Sequence, residues 1–376
     1  MKKSISGIVL ATVLASPLLF PGALQAQESG SSASLEAKVK ELNTEIENLQ
    51  FDNDRLAKAV DDLNWYKKME EIAYVDKVRI SSLPPTVVRN PTGKGVKNPV
   101  TIQAYVFIPK NIDHKKKYPL IVLPHGGVHG NFGIGNAHIV KELIAQGYVV
   151  TAPEYRGSTG YGKTFQRQID YGGREVDDTK ASRDYMVQNY DFIDKSRVGI
   201  IGWSHGGMLT LLNLFRFPES YAVGYAGVPV SDLVARMGYM NEAYRKLFSA
   251  DYHLGKEVYQ NIAEYRKRSP AWNAEKLKTP LLIHANTNDE DVNILEVEHL
   301  IKSLKAENKK FEYKIYDSFP GGHHFDRIDN YASKEIRLKI YQFLQPILKP
   351  ATPFKDLDAL IRASYFPVAV KPEENK

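Results

Sequence analysis

The sequence predicts an α/β fold, a mostly parallel sheet with helices on both faces, preceded by a long coiled-coil helix. Three observations carry this reading. Apolar residues recur in steps of three and four over residues 35–63; strand-like and helix-like segments alternate from Val75 to Ile347; and a Gly-Trp-Ser-His-Gly run, 202–206, stands between one such strand and the helix after it.

The chain of 376 residues is 43% hydrophobic and 25% charged, a composition that supports one large domain with an appendage and excludes a disordered chain. Met1-Lys2-Lys3, the apolar and small residues from Ile5 to Phe20, and Ala23-Leu24-Gln25-Ala26 before Gln27 read as a secretory signal at 1–26, cleaved after Ala26. A membrane anchor is the competing reading. Ser6, Gly7, Ser16, Pro17, Pro21 and Gly22 interrupt the stretch and leave it short of the ~20 apolar residues a span needs, so no stable membrane insertion is expected. The expected location is exported, periplasmic or secreted. With no cysteine, the exported protein rests on its core instead of on disulfides. The net charge of +6 is dispersed among acids, and Lys115-Lys116-Lys117 reads as a solvated loop, so no nucleic-acid partner is expected.

Residues 27–74 form the coiled-coil helix and linker. Leu35, Leu42, Leu49, Leu56 and Leu63 hold one heptad position, and Val39, Ile46, Asn53 and Val60 the other. β-branched residues opposite leucines favour two parallel strands, and a single Asn53 fixes their register by pairing with its symmetry mate. At 1.5 Å per residue the four heptads make a rod of about 45 Å, which predicts a homodimer through residues 35–63. A long helix folded back on the following domain through the same stripe is the alternative.

The catalytic domain is expected at 75–349. Val75–Ile80, Thr101–Ile108, Tyr118–Leu123, Tyr148–Ala152, Val198–Ile201, Tyr221–Gly227, Leu281–Ala285 and Phe311–Tyr316 read as strands. Ala137–Gln146, Asp177–Gln188, Met208–Phe217, Ile294–Ala306 and Lys334–Ile347 read as helices. No repeat of 20 to 50 residues is present, which excludes a propeller. Residues 350–376 form a C-terminal tail with an amphipathic piece, Phe354–Tyr365, suited to packing on its own subunit or on a partner.

The chemistry is located by Gly202-Trp203-Ser204-His205-Gly206-Gly207. It follows the apolar Arg197–Ile201 and opens a helix, the setting of a nucleophile elbow in the α/β-hydrolase fold, where glycines make room for a sharply turned serine. Such a serine needs a base and a carboxylate to orient that base, in the chain order Ser, acid, His. Asp289 follows the strand at Leu281 in a polar loop, and His323 lies in the next strand-end loop, Phe319–Phe325. A helix-capping turn is the other reading of Asp289-Glu290-Asp291, and His324 competes with His323 for the role of base. His125 reads as a loop-shaping residue. His284 near acids raises the question of a metal, but no His-Glu-x-x-His helix or cysteine cluster accompanies it, so neither a metal nor an organic cofactor is expected.

From Val75 to Leu348 the chain resembles the catalytic domain of the prolyl oligopeptidase family. The resemblance rests on Tyr118–Gly127, on Ala152-Pro153-Glu154-Tyr155-Arg156-Gly157-Ser158-Thr159-Gly160-Tyr161-Gly162, on Gly202–Gly207, on Asp289 three residues before Val292, and on His323 two before Phe325. It implies a serine peptidase acting on small peptides, with Ser204 as nucleophile, His323 as base and Asp289 orienting it. It further implies an oxyanion hole from the His205 backbone N–H and a donor of the His125-Gly126 loop, and a substrate pocket at Val230, Leu233 and Val292.

The departures from the family bear on the substrate. Leu233, Arg236 and Met240 stand where proline-specific members place a Trp and two Tyr, Asp291 where an Arg or Asn binds a peptide carbonyl, and His205 where Tyr is usual. The 48 residues from Gln27 to Tyr74 are too few for the family's propeller. A carboxylesterase of the same fold and mechanism, acting on small esters, is therefore the alternative; a catalytically dead binding module on a rod is a third reading.

Overall fold

The computed structural model describes residues 21–88 and 91–365. The elements are α1 Pro21–Met69, β1 Ala73–Ser82, β2 Val100–Pro109, β3 Tyr118–Val122, α2 Ala137–Ala145, β4 Val149–Glu154, α3 Lys163–Gln166, α4 Arg174–Asn189, β5 Ile193–Trp203, α5 His205–Arg216, β6 Val223–Gly227, α6 Leu233–Tyr239, α7 Glu242–Ser249, α8 Ile262–Arg268, β7 Leu281–Asn286, α9 Ile294–Ala306, β8 Glu312–Tyr316, α10 Tyr331–Leu348 and α11 Leu357–Arg362. The strands form one sheet in the order β1-β2-β4-β3-β5-β6-β7-β8. β1 and β4 run antiparallel to β2, and the pairs from β4 through β3 to β8 are parallel.

Parallel strands covered on both faces need apolar residues at every position, and β4, β6 and β7 are buried throughout. Alternate residues of one strand enter different cores. Leu120, Val122 and Ile200 pack with Val176 of α4, Leu209 of α5 and Leu300 of α9. Their neighbours Ile121 and Ile201 pack with Leu143 of α2, Leu344 of α10 and Trp65 of α1. The mostly parallel sheet with helices on both faces is the α/β fold the sequence predicts.

The domain boundary differs from the expected one. The chain divides into two compact units, Met1–Gln50 and Phe51–Lys376, so the last turns of α1 belong with the sheet. Lys58, Trp65 and Met69 are buried there, while Leu56, Val60 and Leu63 on the heptad seam are 59–69% exposed. One helix thus carries two stripes, because residues 58, 61–62, 65 and 69 repeat at helical spacing on the side away from the seam. In the first unit the seam residues Leu35, Val39, Leu42, Ile46 and Leu49 are also exposed. Of the export signal read at 1–26, residues 1–20 lie outside the described residues and 21–26 fall within α1. No helix among the described residues is long and apolar enough to cross a membrane. The tail packs on its own chain: Phe354 and Leu360 are buried with Tyr341 and Leu344 of α10.

Two buried histidines give the fold a pH dependence. His253 is held at about 3 by burial and then by the Arg268 charge, and His284 at about 4 by burial and then by Lys339 and Lys314. The unfolded chain protonates such residues near ~6.5. Between those values the unfolded state binds more protons, so stability is full above pH ~6.5 and is lost as the pH falls towards 4. Urea midpoints should therefore decline already between pH 7 and 5, where ordinary carboxylates scarcely titrate, and His253→Gln with His284→Gln should flatten the decline. A midpoint constant over that range would contradict this account.

Candidate active site

Ser204 joins the end of β5 to the start of α5 at φ 57° and ψ −123°, a left-handed backbone held by a residue with a side chain. Conformations of this kind cost about 1–3 kcal/mol and persist only where the surroundings enforce them. Here the Ser204 N–H donates to Gly227 O at 3.0 Å, and Ser204 O accepts from Met208 and Val230 at 3.0 and 3.2 Å. The flanking glycines are required by close approach: a Cβ at 202 would stand 2.3 Å from Gly206 O, and one at 206 would stand 2.3 Å from Pro124 O. The second distance shows that the loop after β3 lies directly on the elbow. A Cβ at Gly126 would likewise meet Trp203 O at 3.1 Å and Ser204 Cβ at 3.4 Å.

Asp289 and His323 meet across the ends of β7 and β8. His323 Nδ1 stands 2.9 and 2.8 Å from the two carboxylate oxygens of Asp289, with both side chains buried. Asp289 Oδ1 also accepts from the Asp291 and Val292 N–H groups at 2.9 and 2.8 Å. That is a turn ahead of α9, whose N-cap is Asn293 instead of this acidic cluster, and the same carboxylate serves His323. Gly321 and Gly322, at φ 105° and 50°, shape the histidine loop, and the His323 N–H donates to Glu290 Oε2 at 3.0 Å. His324 is exposed. Its ring lies against that of His323, so the pair resolves into one residue on Asp289 and one beside it.

His205 N–H belongs to the first turn of α5, where N–H groups have no intrahelical acceptor and favour negative charge. Its ring is fastened underneath: Nε2 lies 2.7 Å from Glu175 Oε2, Nδ1 lies 3.0 Å from Gly127 O, and the ring stacks on Tyr171 at 3.9 Å between centroids. His125 stacks on Tyr155 at 4.1 Å, with Nε2 at 2.9 Å from Ser158 Oγ and 3.4 Å from Glu154 Oε2. The Tyr155 hydroxyl donates to His125 O at 2.8 Å and reaches His205 Nδ1 at 3.3 Å. Burial alone would raise the Glu154 carboxyl; His125 and Lys58 outweigh it and hold it at about 2.

The expected pocket residues are corrected by the structure. Val230, Leu233 and Val292 are at most 2% exposed and belong to the core, so they back the site without lining an open cleft. Arg236, which sequence reasoning noted only as a departure, is buried beside them at 2% exposed. It pairs with Asp291 Oδ1 at 2.7 Å and Glu296 Oε1 at 3.1 Å, and donates to the Tyr244 and Tyr239 hydroxyls at 2.8 Å each. Burial pushes the Glu296 carboxyl up against the opposing pull of Arg236. Asp291 stays 43% exposed and turns its Oδ2 to within 3.7 Å of His323 Nε2. Asp326, three residues after His323, accepts from Trp203 Nε1 at 2.7 Å and from the Tyr225 hydroxyl at 2.6 Å, tying the histidine loop to the residue before Ser204. Its signal in the sequence was only its nearness to His323. A separate cavity of 690 Å³, lined by Arg156, Phe165, Asp170 and His253 among others, includes none of Ser204, Asp289 and His323. His284 lies in the core, 3.3 Å from the Tyr225 hydroxyl, and the described residues hold no cluster of three or more metal-ligating side chains.

Residues 136–351 match the prolyl oligopeptidase family, more than half of the chain, and the protein belongs to that family. Among curated relatives, the uncharacterized peptidase YuxL of Bacillus subtilis (strain 168) is 30% identical over 227 residues, covering 60% of this chain and 34% of the relative. Dipeptidyl peptidase 8 of Homo sapiens is 29% identical over 256 residues, covering 65% and 27%. The acylamino-acid-releasing enzyme of Sus scrofa is 25% identical over 251 residues, covering 65% and 33%. The chain thus spans 27–34% of the length of these relatives. Among solved structures, acylaminoacyl peptidase of Pyrococcus horikoshii superposes with a TM-score of 0.58 at 19% identity, covering 77% of this chain and 44% of that one. Dipeptidyl peptidase 4 of Porphyromonas gingivalis does so at 0.58 and 21%, covering 74% and 36%. The fold is the α/β-hydrolase fold of those catalytic domains.

Proposed function

We propose that this protein is an exported serine peptidase that hydrolyses peptide bonds of small peptides through Ser204, His323 and Asp289. The observation that carries the reading is the Asp289–His323 pair at 2.8 Å, together with a serine held at positive φ on an elbow, in a chain of the prolyl oligopeptidase family. Ser204 Oγ attacks the scissile carbonyl carbon while His323 Nε2 takes its proton. The tetrahedral oxyanion is met by the His205 N–H and a donor of the His125-Gly126 loop. His323 then gives the proton to the leaving amine as the C–N bond breaks. Water, deprotonated by the same histidine, cleaves the acyl-enzyme and returns Ser204. Preorganised donors of this kind contribute ~10²–10³ each in kcat, because they meet charge that exists only in the tetrahedral state.

A carboxylesterase of the same mechanism is the second reading. The replacement of the proline-pocket aromatics by Leu233, Arg236 and Met240 favours it. Aminoacyl, dipeptidyl and acylpeptide amides assayed beside short-chain esters separate the two. Amide turnover is expected; ester turnover with no amide cleavage would leave the esterase.

The export reading and the zipper complete the proposal. Eight apolar seam residues between Leu35 and Leu63 stand 49–69% exposed along one helix, and a second copy in parallel would cover them and pair Asn53 with its mate. The exported protein, with a mass that begins it at Gln27, should sediment as a dimer, and Ile46→Lys with Leu49→Lys should halve that mass. An unchanged mass in the double variant would remove the zipper as the means of assembly.

A further inference from the structure

A lysine in the middle of a long polar helix is ordinarily solvated, yet Lys58 of α1 is 3% exposed. An ammonium group has three protons to donate, and these go to the Phe132 carbonyl at 2.8 Å, Asp61 Oδ2 at 3.1 Å and Asn131 Oδ1 at 3.4 Å, with Glu154 Oε1 ion-paired at 2.9 Å. Gly160, within the Arg156–Gly162 run, makes the room: a Cβ there would stand 2.6 Å from Lys58 Cβ.

What Lys58 grips is the loop between β3 and α2, the loop that lies on Ser204. Its distal half is tied to α1 and β4 at Phe132 and Ile134. Phe132 N–H donates to Glu154 Oε1 at 3.1 Å, Ile134 N–H donates to Asp61 Oδ1 at 2.8 Å, and Trp65 stacks on the Phe132 ring at 5.2 Å. Its proximal half reaches the same carboxylate through His125, 3.4 Å from Glu154 Oε2. From there Tyr155 connects His125 to His205, and Glu175 closes the series behind His205. A continuous line of buried polar groups therefore runs from Lys58 on α1 to both residues read as oxyanion donors.

We propose that Lys58 is a positioning residue for the 124–134 loop, so that helix α1 sets the oxyanion geometry of the site. The proposal rests on the reading of Ser204 as nucleophile and of the His125-Gly126 loop as donor. Its physical basis is that Glu154 is wholly buried between Lys58 and His125. Without the ammonium, the loop loses the bonds to Asn131 Oδ1 and the Phe132 carbonyl, which keeps only Trp65 Nε1 at 3.4 Å, while Glu154 is left as a buried charge that lowers stability. A displacement of the donors by a fraction of an ångström weakens the tetrahedral state and leaves ground-state binding in place.

The test uses the full chain with Lys58→Met, which keeps the stem against Gly160, and Lys58→Met with Glu154→Gln, which also removes the uncompensated charge. We expect kcat to fall about 10- to 100-fold in Lys58→Met with KM within about twofold, and inhibition by a peptidyl boronic acid, whose adduct is tetrahedral, to weaken by the same factor. The double variant should regain the wild-type urea midpoint while its kcat stays low. Wild-type kcat in Lys58→Met overturns the proposal, and so does a double variant that recovers stability and kcat together, because Lys58 would then be structural only. Fluorophosphonate labelling of the wild-type protein separates the two levels. If Ser204 does not label, the catalytic reading fails and this proposal falls with it; if it labels while both variants turn over normally, only the role of Lys58 fails.

Discussion

Ser204→Ala is expected to lower kcat by roughly 10⁶, and His323→Ala by a similar factor, because nucleophile and base act as one unit and either loss removes the covalent route. Asp289→Asn is expected to cost less, roughly 10⁴, since it leaves the serine and the imidazole in place and disturbs only the tautomer presented to Ser204. The comparison that decides the base is His323→Ala beside His324→Ala. His323 contacts both oxygens of Asp289, whereas His324 is exposed, so the second variant should retain near-wild-type kcat. A surviving His323→Ala enzyme refutes the assignment. Fluorophosphonate labelling provides an independent readout: it should vanish in Ser204→Ala and persist in Asp289→Asn at reduced rate.

The parts of this site that were legible in the sequence are those whose backbone demands special residues. An elbow at positive φ needs the glycines at 202 and 206, a histidine loop at positive φ needs Gly321 and Gly322, and both stand out between apolar strands. Strands β3 to β7 were legible for a related reason, since burial on both faces writes them as continuous apolar runs. The segment from Leu233 to Arg268 was not assigned, because α6, α7 and α8 have seven, eight and seven residues, too few for periodicity to establish a helix. The domain boundary was misplaced because the seam leucines dominate α1, while the stripe that packs on the sheet is written mostly in Lys58, Asp61 and Asp62, residue types that read as solvated. Only Trp65 and Met69 hinted at it. The pocket assignment failed at Val230, Leu233 and Val292 because resemblance transfers identity and not exposure. Arg236, at an aromatic position, is instead buried in ion pairs with Asp291 and Glu296.

The largest single loss of stability is expected far from the serine, at Glu142. This carboxylate of α2 is 1% exposed and takes Arg337 of α10 in a bidentate pair, Nε and Nη2 each at 2.8 Å, with the Tyr341 hydroxyl at 2.6 Å. Glu142→Ala leaves the buried Arg337 guanidinium with only Asp329 Oδ1 at 3.6 Å, and losing the close partner of such a pair costs about 3–5 kcal/mol. Replacing Glu142, Arg337 and Tyr341 together by Met, Met and Phe removes the desolvation penalty along with the attraction, so the triple variant should fall within about 1 kcal/mol of wild type or exceed it. Arg337 has a second duty, however. Its Nη1 donates to the Asp326 and Ile328 carbonyls at 3.0 and 2.8 Å, just beyond His323. The triple variant frees that loop, so it should keep its urea midpoint and still lose kcat, whereas a Glu142→Ala protein that remains folded keeps the tether and its turnover. A triple variant with unaltered kcat would show that Asp326, bound to Trp203 and Tyr225, is enough to hold the histidine loop by itself.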